Sequence, residues 1–420
     1  MISRRAFLKA GGLALFSLSV GGTPLFLSRT AQAAENLSGY RRRNTLVTIF
    51  QRGAMDGLMA VSPLNDPRLL KLRPNLGMTA AKSAERRLLE LDGNFGLHPS
   101  FASLKRFYDE ERLAIVHGIG SPNNTRSHFD AQDYMETGTP GDKGTSSGWL
   151  NRAIGLMGHE ATPFQAVSMT PAMPRALYGN NAAIALTDLN DFKLSGRQAR
   201  AVVQSAGKSI EELYRQTTQD LLKESGKDSF DAIRTISDIE INGYKPANGA
   251  KYPTSPLGKN LKQIAILVKA DVGLEVAFAE SNGWDTHVRQ GTATGSFARR
   301  ADDLADCINA FWTDLGVYQD NVTLMTMTEF GRTVAENGSV GTDHGRASCM
   351  FVLGNNVEGG QIYGGIPELD VDALEDGRDL PVQIDFRSLF TEVAVKHLRV
   401  KNQAALFPGW NGKPLQLLKG

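Results

Sequence analysis

Short, almost uninterrupted apolar runs recur along this chain, and each is followed at once by a polar loop, often bearing glycine. The runs are Thr45–Phe50, Leu113–Val116, Phe164–Met169, Leu274–Phe278, Val322–Met327 and Met350–Leu353. A strand with one wet face alternates apolar and polar residues. Near-continuous apolar runs instead mark strands buried on both faces, as in a parallel sheet covered by helices. Helical patterns lie between the runs. The clearest places Phe297, Ala301, Leu304, Ile308, Phe311 and Leu315 on one face and Asp302, Asp303, Asp306 and Asp314 on the other. The strand Val322–Met327 follows directly, which makes an αβ unit. Residues 208–240 and 258–272 also read as helices, with few strand signals between them, and predict a helical insertion over about 185–270. The expected fold is therefore α/β: a mostly parallel sheet with helices on both faces, spanning 45–420 and carrying that insertion.

The first 33 residues read differently. Ser3-Arg4-Arg5-Ala6-Phe7-Leu8-Lys9 is a paired-arginine segment, a moderately apolar run follows, and Ala31-Gln32-Ala33 supplies the small residues that a signal peptidase reads. A spanning helix needs about 20 consecutive apolar residues, and Gly11, Gly12, Gly21, Gly22 and Pro24 interrupt this run. Residues 1–33 are thus expected to be a twin-arginine signal peptide, handled by the twin-arginine translocase and cleaved. The mature protein is expected in the periplasm or outside the cell, with no stable membrane span. The signal carries Arg4, Arg5, Lys9 and Arg29 and no acid, so removing it takes the net charge from +1 to about −3. A weakly acidic chain lacks the basic footprint that nucleic acid requires. Cys307 and Cys349 are too few for a disulfide framework in 420 residues and read as small core residues.

Ligands of open parallel sheets bind beyond the carboxyl ends of the strands, so the polar residues after each apolar run carry the candidate chemistry. They are Asp56 after the first run, His117 and then Thr125-Arg126-Ser127-His128 after the second, and Gly283-Trp284-Asp285-Thr286-His287 after the fourth. After the fifth come Glu329-Phe330-Gly331-Arg332 and Gly341-Thr342-Asp343-His344-Gly345. Four of the seven histidines fall on this edge. A carboxylate there is commonly a helix N-cap, and a lone loop histidine is commonly structural. Asp285 with His287, and Asp343 with His344, say more, because each couples an oxygen and a nitrogen ligand in one short loop. Imidazole with carboxylate suits a divalent metal, zinc or manganese before others. Asp56, His128, Asp285, His287, Glu329, Asp343 and His344 are the candidate ligands. Ser127, with Thr125 as its alternative, is the candidate nucleophile, and Ser127 is equally a helix N-cap. Arg332, and also Arg52 or Arg126, can fork onto an anionic oxygen or form surface ion pairs. Trp284 reads as packing, and His117 and His397 as core.

Arg52-Gly53-Ala54-Met55-Asp56-Gly57, Arg126-Ser127-His128-Phe129, Gly283-Trp284-Asp285-Thr286-His287, Glu329-Phe330-Gly331-Arg332-Thr333 and Gly341-Thr342-Asp343-His344-Gly345 stand in that order. In this the chain resembles the DUF1501 family, exported bacterial proteins of unknown function. That family in turn resembles the alkaline phosphatase and sulfatase superfamily, whose sites hold two metal ions. Asp56, Ser127 or Thr125, Asp285 with His287, and Asp343 with His344 match its site positions in order. Gln383-Ile384-Asp385-Phe386-Arg387-Ser388-Leu389-Phe390 is similar to its closing helix. The sulfatase Cys-x-Pro-x-Arg signature is absent, and His397 alone stands where the third metal histidine of the phosphatases is expected. The resemblance implies a metal-dependent hydrolase of phosphate or sulfate esters acting on a small anionic ester or glycan. The alternative is a non-catalytic envelope protein of the same fold that binds a glycan or a protein partner.

Overall fold

The computed structural model describes residues 43–79, 87–159, 161–162, 164–192, 241 and 243–419. The expected signal peptide and the helix expected over 208–240 lie outside the described residues. In chain order the strands are β1 (Thr45–Arg52), β2 (Val61–Pro63), β3 (Leu89–Glu90), β4 (Phe95–Leu97), β5 (Leu113–Gly120), β6 (Ala166–Ser168), β7 (Ile184–Ala185), β8 (Val276–Asn282), β9 (Val322–Met327), β10 (Ser348–Gly354), β11 (Ile362–Gly364) and β12 (Ile384–Asp385). The main sheet runs β11-β5-β10-β9-β1-β8-β6-β7, with β12 also on β5, while β2, β4 and β3 form a small antiparallel sheet. Each expected apolar run lies in or overlaps a strand of the main sheet.

Successive side chains of a strand point to opposite faces, and here both faces are dry. From β1, Val47 and Ile49 enter one core while Leu46 and Phe50 enter the other. β10 divides likewise, with Phe351 and Leu353 on one side and Met350 and Val352 on the other. Helices Ala102–Asp109, Pro256–Lys269 and Ser296–Leu315 cover the first face, and Trp149–Leu156 and Phe386–Glu392 the second. Each fully buried Leu, Ile or Phe on these faces contributes about 1.5–3 kcal/mol. The mostly parallel α/β architecture is as expected.

Helix Ser296–Leu315 buries Phe297, Ala301, Leu304, Ile308, Phe311 and Leu315, the stripe predicted for it. Its expected polar face needs one correction. Asp314 is fully buried, where it accepts hydrogen bonds from the hydroxyls of Tyr244 and Tyr252 and pairs with Lys269. Of the expected insertion, helix Pro256–Lys269 is described; it is capped by Ser255, whose hydroxyl accepts from the Gly258 amide at 3.1 Å, and it starts on Pro256. It packs against Ser296–Leu315 on the sheet. Both cysteines are free and buried. No helix among the described residues is long and apolar enough to cross a membrane.

One strand breaks the parallel pattern, and it positions the site. β10 is antiparallel to both β5 and β9. Residues 328–347 turn back beyond the end of β9 without crossing the sheet, so no helical crossover intervenes and the returning strand must run the other way. The loop that precedes β10 therefore lies at the same edge as the loops that follow β1, β5, β8 and β9. Register fixes this edge: Arg52 is opposite Asn282, Phe50 opposite Met327, and Ile119 opposite Ser348.

Candidate metal centre

Three histidines and one aspartate, from three loops, meet at that edge. His128 opens helix His128–Thr137, Asp285 and His287 follow β8, and His344 precedes β10. The Nε2 atom of His344 is the hub, 3.0 Å from His128 Nε2, 2.9 Å from His287 Nε2 and 3.3 Å from Asp285 Oδ1. Asp285 also lies 3.0 Å from His287 Nε2 and 3.6 Å from His128 Nε2. The three imidazoles and the carboxylate are part-exposed, so the cluster opens to solvent.

The opposite nitrogen of each ring says where the protons are. His128 Nδ1 is 2.8 Å from Glu329 Oε1, His287 Nδ1 is 3.0 Å from Asp343 Oδ1, and His344 Nδ1 is 2.8 Å from the Arg126 carbonyl. Carboxylates and carbonyls only accept, so each Nδ1 must donate, and each neutral ring then turns a bare Nε2 lone pair inward. Burial alone would raise the Glu329 carboxyl, but hydrogen bonds from His128, Gln132 and the Gly53 amide hold it below the usual range. Asp343 is held low chiefly by Asn337 and then by His287. Burial opposes ionisation of Asp285 too, and Arg332 overcomes it. Burial, helped by His128, pushes His344 down, while the Glu329 contact pushes His128 up.

Three lone pairs and a carboxylate thus face one another across about 3 Å. One divalent cation satisfies the set, as do two protons, the competition that weakens metal binding in acid. Ligand atoms about 2.0–2.1 Å from a tetrahedral ion stand roughly 3.3 Å apart, so the observed separations need little opening. His128, Asp285 and His344 form a group that can hold a metal ion, and His287 adds a fourth ligand atom beside two of them. Each ring has an outer oxygen partner that fixes its tautomer and direction, as ligating histidines ordinarily do.

Close backbone approach makes the cluster possible. A Cβ on Gly53 would come 2.5 Å from the Asp285 amide nitrogen, and one on Gly341 would come 2.2 Å from the His287 carbonyl oxygen. Phe330, buried behind the rings, packs at 5.0 Å from His128 and 5.1 Å from His344.

The family model described as protein of unknown function (DUF1501) matches residues 44–406. The chain belongs to the DUF1501 family. No curated protein matches it. Among solved structures it is similar to the lipoteichoic acid synthase LtaP from Listeria monocytogenes, at 8% identity over 78% of this chain and 67% of that one, with a TM-score of 0.31. It is also similar to the PsFucS1 sulfatase from Pseudoalteromonas sp., at 11% identity over 94% of this chain and 76% of that one, with a TM-score of 0.35.

In this DUF1501 chain several expected ligands take other places. Asp56 is corrected: it is buried, caps helix Gly57–Ala60 through the Met59 amide, and accepts from Arg73 and Gln290, which occupies both its oxygens. Glu329 and Asp343 are also corrected, since both carboxylates hold the Nδ1 side of a histidine rather than the central point. Arg332 is not a surface ion pair and does not face solvent to grip an anion. Its buried guanidinium donates to Asp285 at 2.7 Å and to the Thr342 carbonyl. Arg52 is held by Glu136 and Glu280, and Arg126 by Asp376 and Asp379.

Ser127 stands at the N-cap position of helix His128–Thr137, yet its side chain makes no capping bond. Thr125 Oγ1 accepts from the Ser127 amide at 3.2 Å. Trp284 packs edge-on against Phe297 with its indole nitrogen on Ser281. His117 and His397 are core residues bonded to the carbonyls of Val61 and Thr45, and burial pushes both down to about 4. Gln132, Gln290 and Arg73 escaped sequence reasoning. Only Gln132 left a local signal: it lies four residues after His128, on the same helix face.

Proposed function

We propose that this protein is an exported, metal-dependent hydrolase of phosphate or sulfate esters. The convergence of three Nε2 atoms and the Asp285 carboxylate carries the reading, and such a donor set suits zinc or manganese. His128, His287, His344 and Asp285 would hold one ion. With four protein ligands such an ion would need to exceed four-coordination to take a further oxygen, and it would then supply a Lewis acid for an ester. Ser127, its hydroxyl free of capping, is the candidate nucleophile at the start of a helix whose dipole favours negative charge. Phe129 and Val288, 90% and 61% exposed next to His128 and His287, offer apolar contact to the alcohol portion of such an ester. With Asp56 enclosed by Arg73, a second ion has no carboxylate from that position, and the proposal is for a one-metal centre.

The guanidiniums of Arg52, Arg126 and Arg332 are all committed to carboxylates, an observation that favours a second reading. In it the protein binds a glycan or protein partner through the metal and turns nothing over. A panel of aryl phosphates and sulfates, assayed with zinc- or manganese-loaded protein and with chelated protein, separates the two. The hydrolase reading expects metal-dependent release of the alcohol that falls at least 100-fold in Ser127→Ala at unchanged metal content. Loaded protein inert toward the whole panel leaves the binding reading in front.

Export by the twin-arginine translocase is part of the proposal and rests on Arg4 and Arg5. Changing both to Lys is expected to hold the precursor in the cytoplasm, measured by fractionation. Periplasmic accumulation of the double variant at the wild-type level would refute that route.

A further inference from the structure

We propose that Gln290 and Thr342 are positioning residues for Asp285, driven in one direction by the Asp56–Arg73 ion pair. The inference rests on the metal reading above. Asp285 is exposed, and among the described residues its side-chain contacts besides Arg332 are the three imidazoles themselves, so its orientation comes through Arg332. Behind Arg332 stands a chain of buried polar groups. Thr342 Oγ1 accepts from Arg332 Nε at 3.2 Å and donates to Gln290 Oε1 at 2.7 Å. Gln290 Oε1 also accepts from Thr286 Oγ1 at 2.7 Å, and Gln290 Nε2 donates to Asp56 Oδ2 at 2.7 Å. Arg73, Asp56, Gln290, Thr342 and Arg332 are each no more than 1% exposed.

Every link in this chain has a sense that the previous link dictates. A carboxylate only accepts, so Asp56 selects the nitrogen end of the Gln290 amide. The oxygen end then faces Thr286 and Thr342 and takes the single hydroxyl proton of each. Thr342 Oγ1 is left with lone pairs toward Arg332 Nε, which must donate. The guanidinium is held in plane by Thr342 Oγ1 and the Thr342 carbonyl, and it aims Nη1 at Asp285. Reversing any one link sets two donors or two acceptors face to face without water. Asp56 thus acts on the cluster from a distance, as the fixed acceptor at the far end.

The test compares Thr342→Val, which keeps the shape and removes the hydroxyl, with Thr342→Ser, which keeps the hydroxyl. The readouts are the zinc dissociation constant by chelator competition and the ligand-field spectrum of the cobalt(II)-loaded protein. Thr342→Val is expected to bind zinc about 10- to 100-fold more weakly with a shifted cobalt spectrum, and Thr342→Ser to restore both. A folded Thr342→Val with wild-type affinity and spectrum overturns the proposal, as does equal impairment of Val and Ser. Should Thr342→Val fail to fold, Gln290→Met severs the next link, and wild-type zinc affinity there overturns it too. Wild-type protein that takes up neither metal defeats the underlying metal reading, an outcome distinct from these.

Discussion

Purified His344→Ala is expected to carry no stoichiometric divalent metal, while Asp343→Ala, one residue away, should keep its metal with affinity lowered about 10- to 100-fold. The difference follows from which way each side chain faces. His344 Nε2 touches the other three ligand groups at 2.9–3.3 Å, so its loss removes the hub. Among the described residues the Asp343 carboxylate accepts from the outer nitrogen of His287 and the Asn337 amide, so its loss frees a ring without removing a ligand. Metal analysis after gel filtration, with melts in zinc and in excess chelator, reads both. Binding to the native state alone stabilises by about 4 kcal/mol at a thousandfold excess over Kd, so the wild-type melting point should fall on chelation. That of His344→Ala should not move. Equal metal content in His344→Ala and wild type, or a wild-type melt indifferent to chelator, would remove the metal centre.

Arg73→Met is expected to destabilise the protein by about 3–5 kcal/mol, the usual cost of stranding one member of a buried ion pair. Arg73 makes a two-pronged contact with Asp56 at 2.8 and 3.1 Å and also donates to the carbonyls of Thr333 and Val334. Urea unfolding of metal-free protein measures the loss, and zinc-loaded protein should lose at least as much, because the pair also anchors the chain that orients Asp285. Asp56→Asn combined with Arg73→Met should recover part of it, since the stranded charge is then gone. A loss below about 1 kcal/mol, or one that zinc abolishes, would return Asp56 to the list of metal ligands.

The sheet, its two dry faces and the helix over Ser296–Leu315 were legible in the sequence, because these follow from short-range periodicity and the burial of apolar side chains. The edge at which the chemistry lies was legible too, since the residues that follow buried strands of a parallel sheet share one end. The sequence could not tell ligands from supporters. Asp285 and Asp343 each stand beside a histidine in a glycine-flanked loop, yet one faces the central point and the other its outer shell. Residues around His344 are extended and bridge to Arg332, and neighbours in an extended segment point opposite ways. His344 turns inward and Asp343 outward, and which of the two does so depends on how the loop seats against β10. Asp56 looked like a ligand because its enclosing partners are distant in the chain, Gln290 above all, 234 residues on. Glu329 is likewise defined by His128, 201 residues before it. Those pairings exist because of which strands lie side by side, β1 beside β8 and β5 and β9 on either side of β10, so that loops far apart in the chain share one edge. Local propensity does not encode that choice; the packing of the whole sheet decides it.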